Sequence, residues 1–255
     1  MRKEVADRLL EKVRGDYDEI ADAFSATRTD LWPEMLRFRE FVKAGDRVLD
    51  IGCGNGRAYQ LFEGMAIEYE GVDVSARLVA HAKEKVHDVL ATFRVGSMMA
   101  LPYDDGEFEV AMAIAVLHHI PSKEYRLAAL REACRVLKPG GWFLMTNWDR
   151  WDLSRYWKNH AETLLRKLLG SSELDFKDLL IPWKEGGKAR VMRYYHAFTM
   201  GELRRLCEAA GFEVAELYYS RGGKTVSWRN GDNLITVCRK PHAPGRVDVR
   251  GGRGV

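Results

Sequence analysis

Strand-like and helix-like periods alternate through residues 47–147, and this alternation predicts a doubly wound, mostly parallel α/β sheet. Two further observations support it. A glycine-rich segment closes the first strand run, and the second strand run ends in an acid, Asp73. The chain's 255 residues are 46% hydrophobic and 30% charged. That suits one large globular core and excludes a wholly disordered or collagen-like chain.

Each element follows from local pattern. Val5, Leu9, Leu10 and Val13 share one helical face, so residues 4–14 are expected to form a helix. A second helix starts near Pro33, a residue suited to a first helical position, and continues through Met35, Leu36, Phe38 and Phe41. After a turn at 43–46, Arg47-Val48-Leu49-Asp50-Ile51 reads as a buried strand. Helical sequence at 58–63 precedes a strand at 69–74, and Ser75 can cap a helix over 76–86. Strands follow at 91–95 and 109–116, then a helix at 124–137 that Lys138-Pro139-Gly140-Gly141 should stop. Residues 142–147 form the fifth strand. Between 148 and 192 the period is lost while Trp, Arg and Lys accumulate, so this segment is expected to be an insertion over one end of the sheet. A helix at 199–210 stops at Gly211. Strands at 212–219 and 233–238 bring the sheet to seven, the last two as an antiparallel hairpin. Residues 1–240 are expected to make one domain, and 241–255, rich in Pro, Gly and Arg, a disordered tail.

Composition narrows the function classes. Cys53, Cys134, Cys207 and Cys238 lie far apart without a C-x-x-C pair, which argues against a zinc site and against a disulfide framework; no metal is expected. Charged residues interrupt every long apolar stretch, so no membrane span is expected. Met1-Arg2-Lys3-Glu4 leads into charged helical sequence rather than an apolar signal core, and the expected location is cytoplasmic. The net charge of +3 is unevenly spread, for residues 151–255 carry 19 Lys+Arg against 12 Asp+Glu. Such a half is compatible with an anionic partner such as RNA, and equally with an ordinary solvated surface and a basic tail.

The sharpest motif is Val48-Leu49-Asp50-Ile51-Gly52-Cys53-Gly54-Asn55-Gly56. A strand running into spaced glycines lets the main chain pass close to a ligand where any Cβ would collide. A dinucleotide fingerprint would need glycine where this chain has Arg57, and a phosphate-binding Walker loop would need Gly-Lys-Ser/Thr. Asp50 would repel a pyrophosphate but suits a cationic amino-acid ligand. Asp73, at the end of the second strand, can accept hydrogen bonds from both ribose hydroxyls. With Ser97-Met98 and Leu137-Lys138-Pro139-Gly140-Gly141, this arrangement resembles the class I S-adenosylmethionine-dependent methyltransferases over roughly residues 15–147. The resemblance implies a Rossmann-like fold and S-adenosyl-L-methionine as cofactor. It implies contacts from Tyr17, Asp50, Gly52, Cys53, Gly54, Gly56, Asp73, Val74, Ser97, Met98 and Ala115. Ser97 stands where relatives commonly have an adenine-reading Asp, and Glu109 where an Asp is usual, so the uridine accepted can differ from theirs.

A narrower resemblance lies outside that loop. Tyr17-Asp18-x-Ile20-Ala21, Phe24-Ser25-x-Thr27-Arg28, Trp32-Pro33, His118-His119, Pro182-Trp183, Arg193-Tyr194-Tyr195-His196 and Asp232-Asn233 are similar to segments of the tRNA wobble-uridine carboxymethyl methyltransferases. That family esterifies the carboxylate of 5-carboxymethyluridine in the tRNA anticodon loop, and its eukaryotic members work with a small activator protein on a sheet edge. A carboxylate with an ordinary pKa of about 4 is already ionised and needs no general base. It needs a fixed cation and polar groups to hold the base. Arg28, His118, Arg193, Tyr195 and His196 are the candidates. Plainer roles fit the same residues: surface ion pairs for Arg28 and Arg193, loop packing for His118 and His119, core for Tyr194. Trp148, Trp151, Trp157 and Trp183 could stack bases or roof a pocket. A small-molecule methyltransferase and a non-catalytic cofactor-binding subunit remain the alternative functions.

Overall fold

The structure is a computed structural model that describes residues 1–149, 153–170 and 172–242; residues 243–255 of the tail expected at 241–255, and Trp151, fall outside these. Helix α1 (Lys3–Thr27) is 25 residues long and continues through Gly15, well past the expected end at residue 14. Ile20, Ala21 and Ser25 extend the buried face begun by Val5, Leu9 and Val13, and that packing outweighs the cost of one interior glycine, about 1 kcal/mol. The expected second helix is a single turn, α2 (Pro33–Leu36), followed by a 3-10 segment at Arg37–Phe41.

The alternating region then unfolds nearly as the periods require. Strand β1 (Arg47–Ile51) leads through a 3-10 segment at Arg57–Phe62 to β2 (Glu68–Asp73). Ser75 caps α3 (Ala76–Lys85), its hydroxyl accepting from the Leu78 amide at 3.1 Å. Next come β3 (Ala91–Val95), β4 (Phe108–Ile114), a 3-10 turn at Leu117–His119, α4 (Lys123–Val136) and β5 (Leu137–Trp148). Residues 138–141 were expected to be a stop between elements but already belong to β5. The chain turns directly from α4 into the strand, and pairing with β4 shifts register between Phe108 and Val110.

The insertion is more regular than its sequence suggests. It holds α5 (Leu153–Leu168) and a hairpin of β6 (Asp178–Glu185) and β7 (Lys188–His196), joined through Gly186 and Gly187 at φ of 56° and 80°. Two successive residues in the left-handed region make the tight turn that matches strand twist. A register shift between Trp183 and Lys184 breaks the alternation that would have marked the strands. After α6 (Met200–Ala209) come β8 (Glu213–Arg221), β9 (Lys224–Val226) and β10 (Asn233–Arg239).

The main sheet has eight strands in the order β3-β2-β1-β4-β5-β10-β8-β9, with β6-β7 separate. The first five are parallel and the last three antiparallel. The expected count of seven is one short, because Gly222 and Gly223, taken as part of a link, form a second two-residue turn that folds β9 against β8. The hairpin expected of the last two strands is present as the β8–β10 pair. Leu49 and Ile51 face a core filled by α4 and α6, whereas Val48 faces the opposite core with Phe38, Tyr69, Val79 and Phe93.

Helix α1 packs against α3 and β7, and β7 packs on the turn after β4. Its latch to α3 is polar: Asp18 Oδ1 accepts from the Ser75 hydroxyl at 2.6 Å, while Arg77 donates to the Asp18 carbonyl at 3.0 Å and to Asp22 at 2.6 Å. Asp18→Ala removes a charge-assisted bond from a half-buried site, with an expected stability loss of about 1–3 kcal/mol. Hydrogen exchange is expected to accelerate in α1 while β1, β2 and β4 keep their protection. Uniform acceleration across the sheet would show that α1 is not a separately latched element.

Candidate active site

The chain leaves β1 toward β2 on one side and pairs β4 on the other, so a crevice opens where these strands end. Gly52 begins the loop at φ 74°, and a Cβ there would stand 2.4 Å from Val116 Cγ2. Only glycine satisfies both the backbone and that contact. Gly54, at φ 55°, donates its amide to Asp73 Oδ2 at 2.9 Å, while the Ser75 amide donates to Oδ1 at 2.8 Å. Two main-chain donors therefore fix the Asp73 carboxylate at the rim. Across the crevice Ala115 holds φ 59°, its amide donating to the Thr146 carbonyl and hydroxyl, each at 3.0 Å. An alanine in this region stores strain of about 1–3 kcal/mol, a feature that clusters at ligand sites.

These elements enclose a cavity of about 350 Å³. Ten residues selected from sequence line it: Tyr17, Arg28, Gly52, Cys53, Gly54, Asp73, Val74, Ser97, Met98 and Ala115. Six others do not. Asp50 is buried behind the loop, its Oδ2 accepting from the Tyr69 hydroxyl at 2.6 Å. Burial pushes its carboxyl up to about 7, nearby Asp73 adding to the effect against the Tyr69 bond. Its Oδ1 has no hydrogen-bond partner among the described residues. Gly56 caps the 3-10 segment and packs on Ala82, 3.1 Å from a Cβ built there. Glu109 lies away from the cavity, accepting from the Arg47 amide at 2.8 Å and pairing with Lys138. Its difference from an Asp therefore bears on strand packing and not on substrate.

His118, Arg193 and Tyr195 form the layer above the cavity. Trp148, which lines it, stacks on Tyr195 at 5.5 Å and 18°, and His118 stacks on both rings. Arg193, 5% exposed, places its guanidinium 4.9 Å from the Trp183 ring centre, 5.2 Å from Tyr195 and 5.6 Å from Trp148. It donates to the Tyr17 hydroxyl at 3.4 Å. Among the described residues no carboxylate lies within ion-pair distance of it, and its Nε is buried without a partner. Arg28 also lies against Trp183, at 5.3 Å.

Two residues were misjudged in sequence. His119, read as loop packing, lines the cavity: its Nδ1 meets the Tyr194 carbonyl at 2.8 Å, and its Nε2 meets the Tyr17 hydroxyl at 2.8 Å. A carbonyl only accepts, so Nδ1 carries a proton, and in the neutral ring Nε2 accepts from the Tyr17 hydroxyl. Arg57, noted only as the wrong residue for a dinucleotide loop, also lines the cavity with its guanidinium 4.5 Å over Trp32. No spacing rule marks either residue, since their partners lie far away in the chain.

His196 corrects a site expectation. Its Nδ1 meets Asp178 Oδ1 at 2.7 Å and its Nε2 meets Glu202 Oε1 at 2.9 Å, so both nitrogens are committed to carboxylates that tie β6 and β7 to α6. It is a structural clamp away from the cavity. Although burial opposes ionisation, the bonds from His196 and Lys177 hold the Glu202 carboxyl down at about 2, against an ordinary 4.5. A lowered acid stabilises the fold above its unfolded pKa, and that contribution is lost as pH falls. Stability is expected to drop between about pH 5 and pH 2, with a smaller drop in Glu202→Gln, read from urea midpoints. Equal slopes in both proteins would remove Glu202 from the acid limb.

Comparison with known proteins agrees with this geometry. The methyltransferase domain family matches residues 49–145. The tRNA (carboxymethyluridine(34)-5-O)-methyltransferase of Schizosaccharomyces pombe is 30% identical over 230 residues, covering 83% of this chain and 92% of that protein. The Xenopus tropicalis tRNA (carboxymethyluridine(34)-5-O)-methyltransferase alkbh8 is 29% identical over 258 residues; the match covers 85% of this chain but 40% of that longer protein. Among solved structures, a SAM-dependent methyltransferase of Methanosarcina mazei superposes with a TM-score of 0.67 at 22% identity, covering 84% of this chain and 100% of that one. The methyltransferase bound to the Trm112 activator in a Haloferax volcanii complex gives 0.66 at 21% identity, covering 91% and 98%. A glycine loop, a rim carboxylate and these relatives agree: the chain belongs to the S-adenosylmethionine-dependent methyltransferases, in the family of the tRNA (carboxymethyluridine(34)-5-O)-methyltransferases.

Proposed function

We propose that this protein transfers a methyl group to the carboxylate of 5-carboxymethyluridine at the wobble position of tRNA. The observation that carries this reading is Arg193: a buried cation caged by three rings, with an unused Nε donor and, among the described residues, no carboxylate within ion-pair distance, Asp16 supporting its charge only from farther away. A buried charge costs several kcal/mol unless it is paired, roughly by the desolvation of one ion. A substrate carboxylate entering beside Trp148 would complete the pair, and the planar guanidinium fork matches two oxygens.

The residues present fit S-adenosylmethionine. The main chain at Gly52–Gly54 would follow the amino-acid end, Asp73 would take the ribose hydroxyls, and Ser97 and Met98 would flank the base. The orphaned Asp50 Oδ1 would answer a positive charge behind the loop. When bound, the cofactor supplies an electrophilic methyl group on a sulfonium. The protein's part is to orient and to exclude water, effects that reach about 7–11 kcal/mol in well-aligned reactions. Tyr17, held by Arg193 and His119, fixes the face of α1 over the reacting groups. Trp148, Tyr195 and His118 offer a stacked platform for a base. No side chain has to remove a proton, because the acceptor is ionised at neutral pH.

An activator fits the open edge of the sheet. Among the described residues strand β3 has no neighbour beyond it, and Val89, Leu90 and Val95 there are 93%, 48% and 55% exposed. A small protein that pairs with this edge would cover both its apolar side chains and its unpaired main chain. No helix among the described residues is long and apolar enough to cross a membrane.

Labelled methyl transfer to carboxymethyluridine-containing tRNA is expected to give an alkali-labile ester on the wobble nucleoside. Arg193→Ala is expected to lower that transfer by about 10²–10³-fold while cofactor affinity changes little. Arg193→Lys restores charge but not the fork or the stacking, and is expected to recover a minor part. Wild-type rates in Arg193→Ala would refute the clamp. A second outcome concerns Asp50. A cation favours its ionised form, so binding releases a proton and cofactor affinity should rise with pH up to about 7, then level. Calorimetry at several pH values should show this in the wild type and a flat profile in Asp50→Asn.

A further inference from the structure

A second cavity, of about 280 Å³, opens beside the first on the far side of the glycine loop. Arg28, Asn55 and Arg57 contribute to the walls of both, while Lys85 and His87 face the second alone. Glu63 is the acid in this second wall among the described residues. Three cations from three elements thus converge here: Arg28 after α1, Arg57 after β1, and Lys85 in the last turn of α3.

Their partners are unusual. Lys85 Nζ donates to the Ser25 carbonyl at 3.2 Å, Arg28 to the Thr27 carbonyl at 3.2 Å, and Arg57 to the Asp30 carbonyl at 3.1 Å. These carbonyls hold the cations in place but bring no negative charge. Among the described residues none of the three has a carboxylate within ion-pair distance. The crowding is felt electrostatically. Burial and then Arg28 bring Arg57 down to about 10, with Asp50 and Asp30 offsetting part of this from beyond ion-pair distance, and burial and then Arg57 lower Lys85. Asn55 makes the arrangement rigid, its Nδ2 donating to Ser25 Oγ at 3.2 Å and to the Arg28 carbonyl at 3.0 Å. An ordinary solvated surface spreads like charges apart; this one fixes them around an opening.

We infer that this cavity seats a phosphodiester of the RNA strand beside the target uridine, gripped by Arg28, Arg57 and Lys85. The inference rests on the proposed function and adds to it the place where the backbone is held. Two guanidinium forks and an ammonium provide the donors a phosphate accepts, and Arg57, laid on the Trp32 face, is preset in plane. The walls shared by the two cavities place that phosphate next to the nucleotide whose carboxylate meets Arg193. Lys85 and His87 are exposed, so a strand can reach the seat from solvent. The charge count located the basic excess in residues 151–255, yet these three cations belong to the first half of the chain. A count cannot see convergence.

The test uses the full chain and an anticodon stem-loop carrying one neutral methylphosphonate, moved linkage by linkage through the loop. Wild-type affinity is expected to fall about five-fold or more at one linkage adjoining the wobble nucleotide. In Lys85→Gln that position should lose its sensitivity, and the slope of log affinity against log salt should decrease by about 0.7. Lys85 is exposed at a helix end, so the variant should fold; circular dichroism and cofactor affinity check this. Binding and methylation with the same sensitive linkages in both proteins would overturn the phosphate seat and leave the proposed function intact. Failure of the wild type to bind or methylate the RNA would overturn both. Inorganic phosphate should compete with the RNA in the wild type and less in Lys85→Gln. If phosphate binds through Lys85 without affecting RNA, the cavity belongs to a small anion and the RNA assignment fails.

Discussion

Because the chain leaves β1 toward β2 and later lays β4 along the other side of β1, the loops after these strands must diverge at one end of the sheet. That divergence opens the crevice, and the surrounding parts are arranged to exploit it. Gly52 and Gly54 let the main chain turn away from β1 without a Cβ in the opening. Asp73 is carried to the rim by β2 and held there by two amides. Ala115 turns the chain out of β4 through a strained backbone, which the Thr146 carbonyl and hydroxyl hold in place. The cavity is therefore a consequence of strand order, and its chemistry comes from what closes it.

Closure is provided by α1 and by the β6–β7 hairpin, two segments outside the alternating core. They bring aromatic rings and arginines together and, among the described residues, set no carboxylate within ion-pair distance of Arg28 or Arg193, while Asp16 of α1 acts on Arg193 from farther away. Arg28 and Arg193 both set their guanidinium groups against Trp183, and Arg57 lies over Trp32. Ring faces stabilise a desolvated guanidinium by up to about 2 kcal/mol without consuming its hydrogen-bond donors. A carboxylate in the same place would stabilise the charge more strongly but would also occupy the donors. Rings thus let the protein fold around unpaired cations while keeping their donor edges available for an anion that arrives later.

The alternating core was legible because its signals are local. Strands β1 and β3 and the Ser75 cap follow directly from five-residue runs and one hydroxyl, and the loop with Asp73 follows from spacing. The rest depended on contacts between distant residues. The length of α1 is set by packing on β7 and α3, and β9 exists because two glycines could turn as a pair. Arg57 carried information in its sequence position, but only as an exclusion; its face-on contact with Trp32 is tertiary. His196 was misplaced for a similar reason, since a histidine in a family-like segment looks the same whether it meets substrate or two buried carboxylates.

The histidines bear on mechanism when taken together. His196 has both nitrogens engaged by acids, His119 is held between the Tyr194 carbonyl and Tyr17, and His118 stacks against both Trp148 and Tyr195, with its Nδ1 3.3 Å from Asn147 Oδ1. A methyltransferase acting on a hydroxyl or an amine has a proton to remove, and a histidine aimed into the cavity would serve it. Here His196 and His119 are engaged by those bonds, and His118 stands in a ring stack beside Asn147. An ionised acceptor has no proton to give up, so a site built for it can use its histidines for positioning. Its requirement is a cation at the acceptor, and Arg193 is held where the stacked rings meet Tyr17. The distribution of roles between histidine and arginine thus argues for a carboxylate, and it does so from side-chain geometry independent of sequence resemblance.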